Sequence, residues 1–168
     1  NEAEIGSSYQ KEADELLQAI QKNCWDPKDG FFYSVDLDLR PVTQPRNKAW
    51  QFHMNQPRNW DCLIQRIGVW SGFLAMWSGI ATPEQAKEMV EKNYLDTNTF
   101  NAPFGVRSLS KMEKMYDVRA TSNPSNWLGP IWVNANYFVF RGLVKYGYKN
   151  AARKLVEKTV KLIGMDYE

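Results

Sequence analysis

The sequence carries one seven-residue pattern twice, and this repeat limits the folds open to the chain. AKEMVEK at residues 86–92 is matched in order by ARKLVEK at residues 152–158. Each copy follows a bulky apolar stretch and a turn that contains glycine, so each unit is predicted to be a helical hairpin. Its inner helix is buried and its outer helix is amphipathic. Such units bury both faces only against neighbours. The alternative to a true repeat is that two amphipathic helices rich in the same residues are similar by chance.

Turn signals divide the rest of the chain into elements. Ser7 or Ser8 is a candidate cap for a first helix that ends near Cys24, and a strand is predicted near residues 31–39. Later helices are predicted over residues 60–78, 83–92, 130–146 and 150–163. The helix over 60–78 is apolar on nearly all sides, which predicts burial within a larger protein. Residues 40–59, with Arg46, Lys48, His53 and Arg58, are predicted to form a long loop.

Charge and composition exclude several classes of function. The 168 residues carry a net charge of +2, which gives no electrostatic case for binding nucleic acid or an anionic membrane. No apolar run is long enough to cross a bilayer. With two cysteines and one histidine, the sequence predicts no metal site, and it points to no cofactor. The length predicts a single domain.

Residues 123–137, NPSNWLGPIWVNANY, form a turn-rich segment followed by a predicted helix start. Pro130 suits the first helical position. Trp132 and Asn136 are four residues apart, which predicts that they share one helical face. A flat ring beside a carboxamide can stack on a sugar and bind its hydroxyls. The alternative is a core tryptophan with a buried, hydrogen-bonded asparagine.

Several stretches together resemble glycoside hydrolase family 63. They are CWDPKDGFFY at residues 24–33, WSGFLAMWSGIATPEQA at 70–86, FGVRSL at 104–109 and WLGPIW at 127–132. Trehalases and related toroidal glycosidases carry close variants of the last motif, so a trehalase-like enzyme is the alternative. The resemblance implies a mainly all-α fold, in which residues 1–168 form a partial domain within an (α/α)6 toroid of six helical hairpins, with a short strand or β-hairpin near 31–39.

The resemblance also implies inverting hydrolysis of α-linked glucosides or related α-glycosides. That chemistry needs two carboxylates on opposite sides of the scissile bond. The family's acid lies upstream of the matched region and its base lies downstream, so no catalytic residue is assigned here, Glu168 included. The chain alone is expected to be inactive.

The expected role of this chain is to form part of the wall of a carbohydrate-binding pocket. Its predicted substrate-binding residues are Trp127, Trp132, Asn136, Tyr137, Arg107 and Phe104. For Arg107, a structural ion pair is the alternative. The expected partners are the carbohydrate and the remainder of the toroid. A stand-alone helical-repeat module that binds other proteins is the alternative function.

Overall fold

The computed structural model describes residues 2–36, 63–119 and 125–165. This part of the chain is mainly helical and also contains three two-stranded antiparallel sheets. The elements in chain order are α1 (Glu2–Asn23), β1 (Trp25–Asp26), β2 (Phe31–Phe32), β3 (Ser34–Asp36), β4 (Leu63–Gln65), a 3-10 helix (Trp70–Phe73), α2 (Leu74–Ser78), α3 (Pro83–Glu88), a π-helical turn (Met89–Tyr94), β5 (Asn101–Ala102), β6 (Gly105–Val106), α4 (Val133–Lys145) and α5 (Lys149–Met165).

The predicted strand near residues 31–39 is present as two short strands. β2 pairs with β1 across a turn, with Trp25 opposite Phe32, and β3 pairs with β4, with Val35 opposite Ile64. Residues 37–39 and the predicted loop over 40–59 lie outside the described residues. The first helix begins at Glu2, earlier than the predicted caps Ser7 and Ser8. Ser7 therefore lies within the helix, where its hydroxyl donates to the Ala3 carbonyl at 2.9 Å.

Within the described residues 63–78, the predicted helix over 60–78 is wrong in its first part. Residues 63–65 form strand β4, and helical structure begins with the 3-10 helix at Trp70 and continues through α2 to Ser78. The segment instead pairs with its surroundings: Leu63, Ile64 and Gln65 form the ladder with β3, and Val69 makes an isolated bridge to Leu109. The predicted burial does not hold for β4, where Ile64 is partly buried and Gln65 is exposed, and a short apolar run alone does not separate a strand from a helix.

The two helical hairpins are confirmed as α2–α3 and α4–α5. Gly79, with a φ of 89°, ends α2, and Gly147, with a φ of 82°, follows α4. The capping box before α3 is confirmed, because Thr82 and Gln85 exchange side-chain to backbone hydrogen bonds at 2.8 and 3.2 Å. Helix α4 begins at Val133 rather than Pro130, and Trp132 is its extended N-cap residue.

The core lies where α2 packs against α4 and where the rings of Phe31, Phe73 and Phe100 meet. Those rings contact one another with centroid separations of 5.1–5.3 Å. Gly142 is buried at the crossing of α4 with α2, and a Cβ added there would lie 2.9 Å from the Cβ of Met76. The absence of a side chain at Gly142 therefore sets how closely the two helices approach.

Helix α1 differs from the other long helices, because none of its 22 residues is buried. It leaves Ile5, Tyr9, Leu16 and Leu17 exposed. Of the helices in the described ranges, none is long and apolar enough to cross a membrane.

Candidate functional site

Five aromatic side chains from three segments of the chain form one continuous surface. This aromatic surface consists of Trp70 and Trp77 from the α2 region, Trp127 and Trp132 before α4, and Phe138 within α4. Trp127 and Trp132 are stacked almost in parallel, with ring centroids 4.4 Å apart and an interplanar angle of 5°. Trp70 lies 6.4 Å from Trp127 and 6.2 Å from Phe138, and Phe138 meets Trp77 edge-on at 5.0 Å.

The surface is accessible, although its members support one another. Trp127 is 39% exposed and Trp77 is 43% exposed, whereas Trp70, Trp132 and Phe138 are partly buried. Ring faces that are both rigid and accessible can stack on the apolar face of a flat ligand. Exposed aromatic side chains are also typical of the walls of small-molecule binding sites.

The loop before α4 fixes the two stacked rings. The indole nitrogen of Trp132 donates to the Asn126 carbonyl at 3.0 Å. The side chain of Asn126 accepts from the Leu128 amide at 2.8 Å and donates to the Asp117 carbonyl at 2.8 Å. Ser108 adds a second attachment, because its hydroxyl donates to the Trp127 carbonyl at 3.0 Å. The stack is therefore preorganised by hydrogen bonds to both of its residues.

Asn136 is not on the aromatic surface, which corrects the prediction that it shares a face with Trp132. It is 3% exposed. Its carboxamide oxygen accepts from the Val106 amide at 2.8 Å, and its nitrogen donates to the carbonyls of Val106 and Trp132 at 3.2 and 2.9 Å. Both amide protons are used in the interior, so this geometry leaves no donor for a sugar. The physical reason is that Trp132 is extended, so helical spacing does not apply to it.

Arg107 is also buried. Among the described residues it forms no ion pair, which is the alternative, and its hydrogen bonds are to backbone carbonyls and one tyrosine rather than directed outward to a sugar. Its Nη1 donates to the carbonyls of Thr97, Thr99 and Asn101 at 3.1, 3.1 and 2.6 Å. Its Nε donates to the Tyr116 hydroxyl at 3.2 Å. The guanidinium thus holds the loop around β5 together.

The remaining two predicted residues are separated. Phe104 is partly buried and lines a cavity of about 370 Å³ together with Arg107 and Tyr116. Tyr137 is 51% exposed, packs edge-on against Phe138 at 5.7 Å and accepts a hydrogen bond from Arg141 at 2.8 Å. Of the six predicted binding residues, the structure thus places Trp127 and Trp132 in the aromatic surface. Tyr137 lies beside Phe138 of that surface and also lines a cavity between α4 and α5. Asn136, Arg107 and Phe104 lie elsewhere.

Sequence reasoning missed Trp70, Trp77 and Phe138 as members of this surface. The helix predicted over 60–78 is expected to be buried on all sides, and it includes Trp70 and Trp77. Only knowledge that helical structure begins after Val69 would have shown that these two rings reach the surface. Phe138 follows directly after Tyr137, the last residue of the 123–137 segment, so its place in the sequence could have indicated it.

The carboxylates whose pKa values depart from the usual range show no sign of an acid held protonated. Burial raises the pKa of the Asp26 carboxyl, but hydrogen bonds from the Asp29 amide, the Arg66 guanidinium and the Lys28 amide bring it below its usual value. Hydrogen bonds from Arg119 lower the pKa of Asp117 to about 2. A general acid needs the opposite shift. Among the described residues, no group of three or more His, Cys, Asp or Glu side chains could hold a metal ion.

Comparison with known proteins gives one family match over the whole chain. The family model described as mannosylglycerate hydrolase MGH1-like glycoside hydrolase domain matches residues 1–168. A cytosolic neutral trehalase from Kluyveromyces lactis is 26% identical over 150 residues, or 89% of this chain and 16% of that protein. A mannosylglycerate hydrolase from Rubrobacter radiotolerans is 23% identical over 164 residues, or 93% of this chain and 30% of that protein.

A solved structure shows the same fold. The GH63 mannosylglycerate hydrolase from Thermus thermophilus, in complex with glucose, superposes with a TM-score of 0.59 at 19% identity, covering 84% of this chain and 29% of that one. The mainly helical fold predicted for the chain is therefore confirmed, and it agrees with a segment of an (α/α)6 toroid. The chain spans less than a third of the length of the two curated relatives.

Proposed function

We propose a function from one premise: this chain belongs to the family of mannosylglycerate hydrolase MGH1-like glycoside hydrolase domains, whose model matches residues 1–168. The proposal is that residues 1–168 are one sector of a longer glycoside hydrolase domain. The aromatic surface is the part of its substrate cleft that this sector supplies. The longer protein hydrolyses an α-linked glycoside with inversion.

The observation that carries this proposal is the accessible stack of Trp127 on Trp132 beside Trp70. The facing sides of Trp127 and Trp132 cover each other in the stack, so the C–H face of a pyranose ring would pack on the part of Trp127 that stays exposed. Because Trp70 lies 6.4 Å from Trp127, the connected rings extend this apolar surface beyond a single aromatic side chain. Tyr137 and the exposed Asn134 lie near the start of α4 and can contribute polar groups.

The two catalytic carboxylates are proposed to lie outside this sector. Inverting hydrolysis needs an acid with a raised pKa and a base that activates water from the opposite face of the sugar. In the described ranges, the carboxylates with shifted pKa values are all shifted downward, and two of them are fixed by arginine. This sector therefore binds and orients substrate, and the chain alone is expected to be inactive.

Mannosylglycerate is the first candidate substrate, since the family model and a relative covering 93% of this chain carry that activity in their names. Trehalose is the second candidate. It is favoured by the match to a neutral trehalase, which is 26% identical over 89% of this chain. Both are small α-glycosides, so a short cleft with one aromatic platform suits either.

The test uses the full-length protein that contains residues 1–168. Purified enzyme is assayed against mannosylglycerate, trehalose and an aryl α-glucoside, with the anomer of the first product followed by NMR. Trp127→Ala is expected to lower kcat/KM by about tenfold, equivalent to about 1.4 kcal/mol of transition-state stabilisation. The matched control is Tyr9→Ala, which removes an exposed aromatic ring from α1.

Two results would overturn the proposal. One is a kcat/KM that stays unchanged in Trp127→Ala for every substrate that the enzyme turns over. The other is hydrolysis by residues 1–168 alone that is abolished when one of its own carboxylates is replaced, because the catalytic pair would then lie within this sector.

A further inference from the structure

A second cavity adjoins Arg107, between the loop around β5 and helix α5. Its volume is about 360 Å³. The cationic side chains of Arg107, Lys111 and Lys158 line it, together with the polar side chains of Thr97 and Asn101. No carboxylate is among the described residues that line it. A cavity with three cations and no acid has a strongly positive potential.

These cations are not neutralised by the described part of the protein. None of the salt bridges within residues 2–36, 63–119 and 125–165 includes Arg107, Lys111 or Lys158. Lys158 instead donates to the Asn101 side-chain oxygen at 2.6 Å and to the Ala102 carbonyl at 2.9 Å. Burial lowers the pKa of Lys158, and the positive charges of Arg107 and Lys154 lower it further. Arg107 is buried and Lys158 is partly buried, and holding their like charges close together is unfavourable unless an anion joins them.

Donors remain free to receive that anion. Arg107 is 8% exposed, and its Nη1 and Nε hold four oxygen atoms, whereas its Nη2 makes no hydrogen bond with any described residue. The Lys158 ammonium has three protons and uses two of them within the described ranges. Because Asn101 accepts from both cations, through its carbonyl and its side chain, the two groups are fixed relative to each other.

We propose that this cavity is an oxyanion site, in which Arg107, Lys158 and Lys111 bind one phosphate or carboxylate group. The donors match that chemistry, because guanidinium and ammonium groups form charge-assisted hydrogen bonds to such oxygens. The volume is sufficient for a phosphate with several waters, since one water occupies about 30 Å³. The group has two sources: a free anion, or an Asp or Glu side chain from the rest of the longer protein.

The test titrates inorganic phosphate into the full-length protein at constant ionic strength, with binding followed by calorimetry. Lys158→Gln removes one charge from the cavity and is expected to weaken phosphate binding about tenfold. Lys161→Gln is the matched control, because it removes the same charge from the exposed surface of the same helix and should change binding by less than about twofold. If Lys158→Gln does not fold, Lys111→Gln takes its place.

The second source gives a different result. If a carboxylate of the longer protein fills the cavity, wild-type protein does not bind phosphate, Lys158→Gln lowers Tm by several degrees more than Lys161→Gln, and a crystal structure grown without phosphate places that carboxylate beside the Lys158 ammonium. The proposal is overturned by phosphate binding that is equal in wild type and Lys158→Gln. It is also overturned by a cavity that binds no phosphate and holds no carboxylate.

Discussion

The side chain of Asn136 pairs with both backbone groups of Val106, as a neighbouring strand would. Its oxygen accepts from the Val106 amide at 2.8 Å, and its nitrogen donates to the Val106 carbonyl at 3.2 Å. The same nitrogen donates to the Trp132 carbonyl at 2.9 Å. One buried carboxamide thus ties strand β6 to the N-cap of α4 and sets where the aromatic surface begins.

Asn136→Asp is expected to destabilise the fold by about 2–4 kcal/mol, because the replaced donor leaves two buried carbonyls facing a carboxylate. The measurement is urea unfolding of the full-length protein. Asn134→Asp is the matched control: its oxygen accepts from the Ala135 amide at 2.8 Å, a role that aspartate keeps, and the side chain is exposed. If both variants unfold at the same urea concentration, the Asn136 carboxamide does not stabilise the connection between β6 and α4.

Gly142→Ala is expected to lower stability by about 1–2 kcal/mol. The added methyl group would lie 2.9 Å from the Met76 Cβ and 3.2 Å from the Trp77 amide nitrogen, so α2 and α4 must separate. The better helix propensity of alanine offsets part of this loss. The measurement is the thermal midpoint by circular dichroism.

Gly164→Ala provides the comparison for that substitution. It makes the same change within α5, where nothing among the described residues lies within 4 Å of the added Cβ. It should therefore raise stability by about 0.5 kcal/mol or leave it unchanged. A loss of stability in Gly164→Ala equal to that in Gly142→Ala would show that helix crossing is not the cause.

The protein is expected to lose stability in acid as the Asp26 carboxylate becomes protonated. Its carboxylate accepts from the Lys28 and Asp29 amides at 2.9 and 3.1 Å and from Arg66 at 2.5 Å. Because folding lowers the pKa of Asp26, its contribution is complete above the unfolded pKa of about 3.9 and is lost as the pH falls through the folded pKa. Unfolding free energies at pH 7 and below pH 4 measure this loss.

Asp26→Asn separates that contribution from the rest of the acid response. It should lower stability by about 2 kcal/mol at pH 7 and flatten the decline below pH 4. Asp14→Asn, on the exposed surface of α1, should change stability at pH 7 by less than about 0.5 kcal/mol. If the free energy of unfolding of Asp26→Asn falls below pH 4 as steeply as that of the wild type, Asp26 is not the cause of the acid sensitivity.

Local signals predict the helical hairpins well, because caps and glycine stops depend on a few neighbouring residues. The Thr82–Gln85 capping box and the glycines at 79 and 147 lie where their chemistry requires. The helix predicted over residues 60–78 is wrong at residues 63–65, because the strand there depends on pairing with β3, which is more than 25 residues earlier in the sequence. Such distant pairing leaves no helical or alternating period to read.

The site could be predicted only in part for the same reason. Tryptophans in the WLGPIW motif could be placed near a cleft from the motif alone, and Trp127 and Trp132 do stack at the surface. Spacing could not show that Asn136 and Arg107 turn inward, because their partners are backbone carbonyls and amides of β5, β6 and the adjoining loop. Backbone acceptors carry no sequence signature.

The position of Trp127 between Trp70 and Trp132 has an evolutionary consequence. Because each ring rests on the next, substitutions at these three positions are expected to be epistatic, with the effect of one change depending on which residues occupy the other two. A lineage that altered its sugar preference through this platform would then do so by correlated replacements in segments far apart in sequence. Comparing substitution histories at residues 70, 127 and 132 is therefore more informative than comparing any one of them alone.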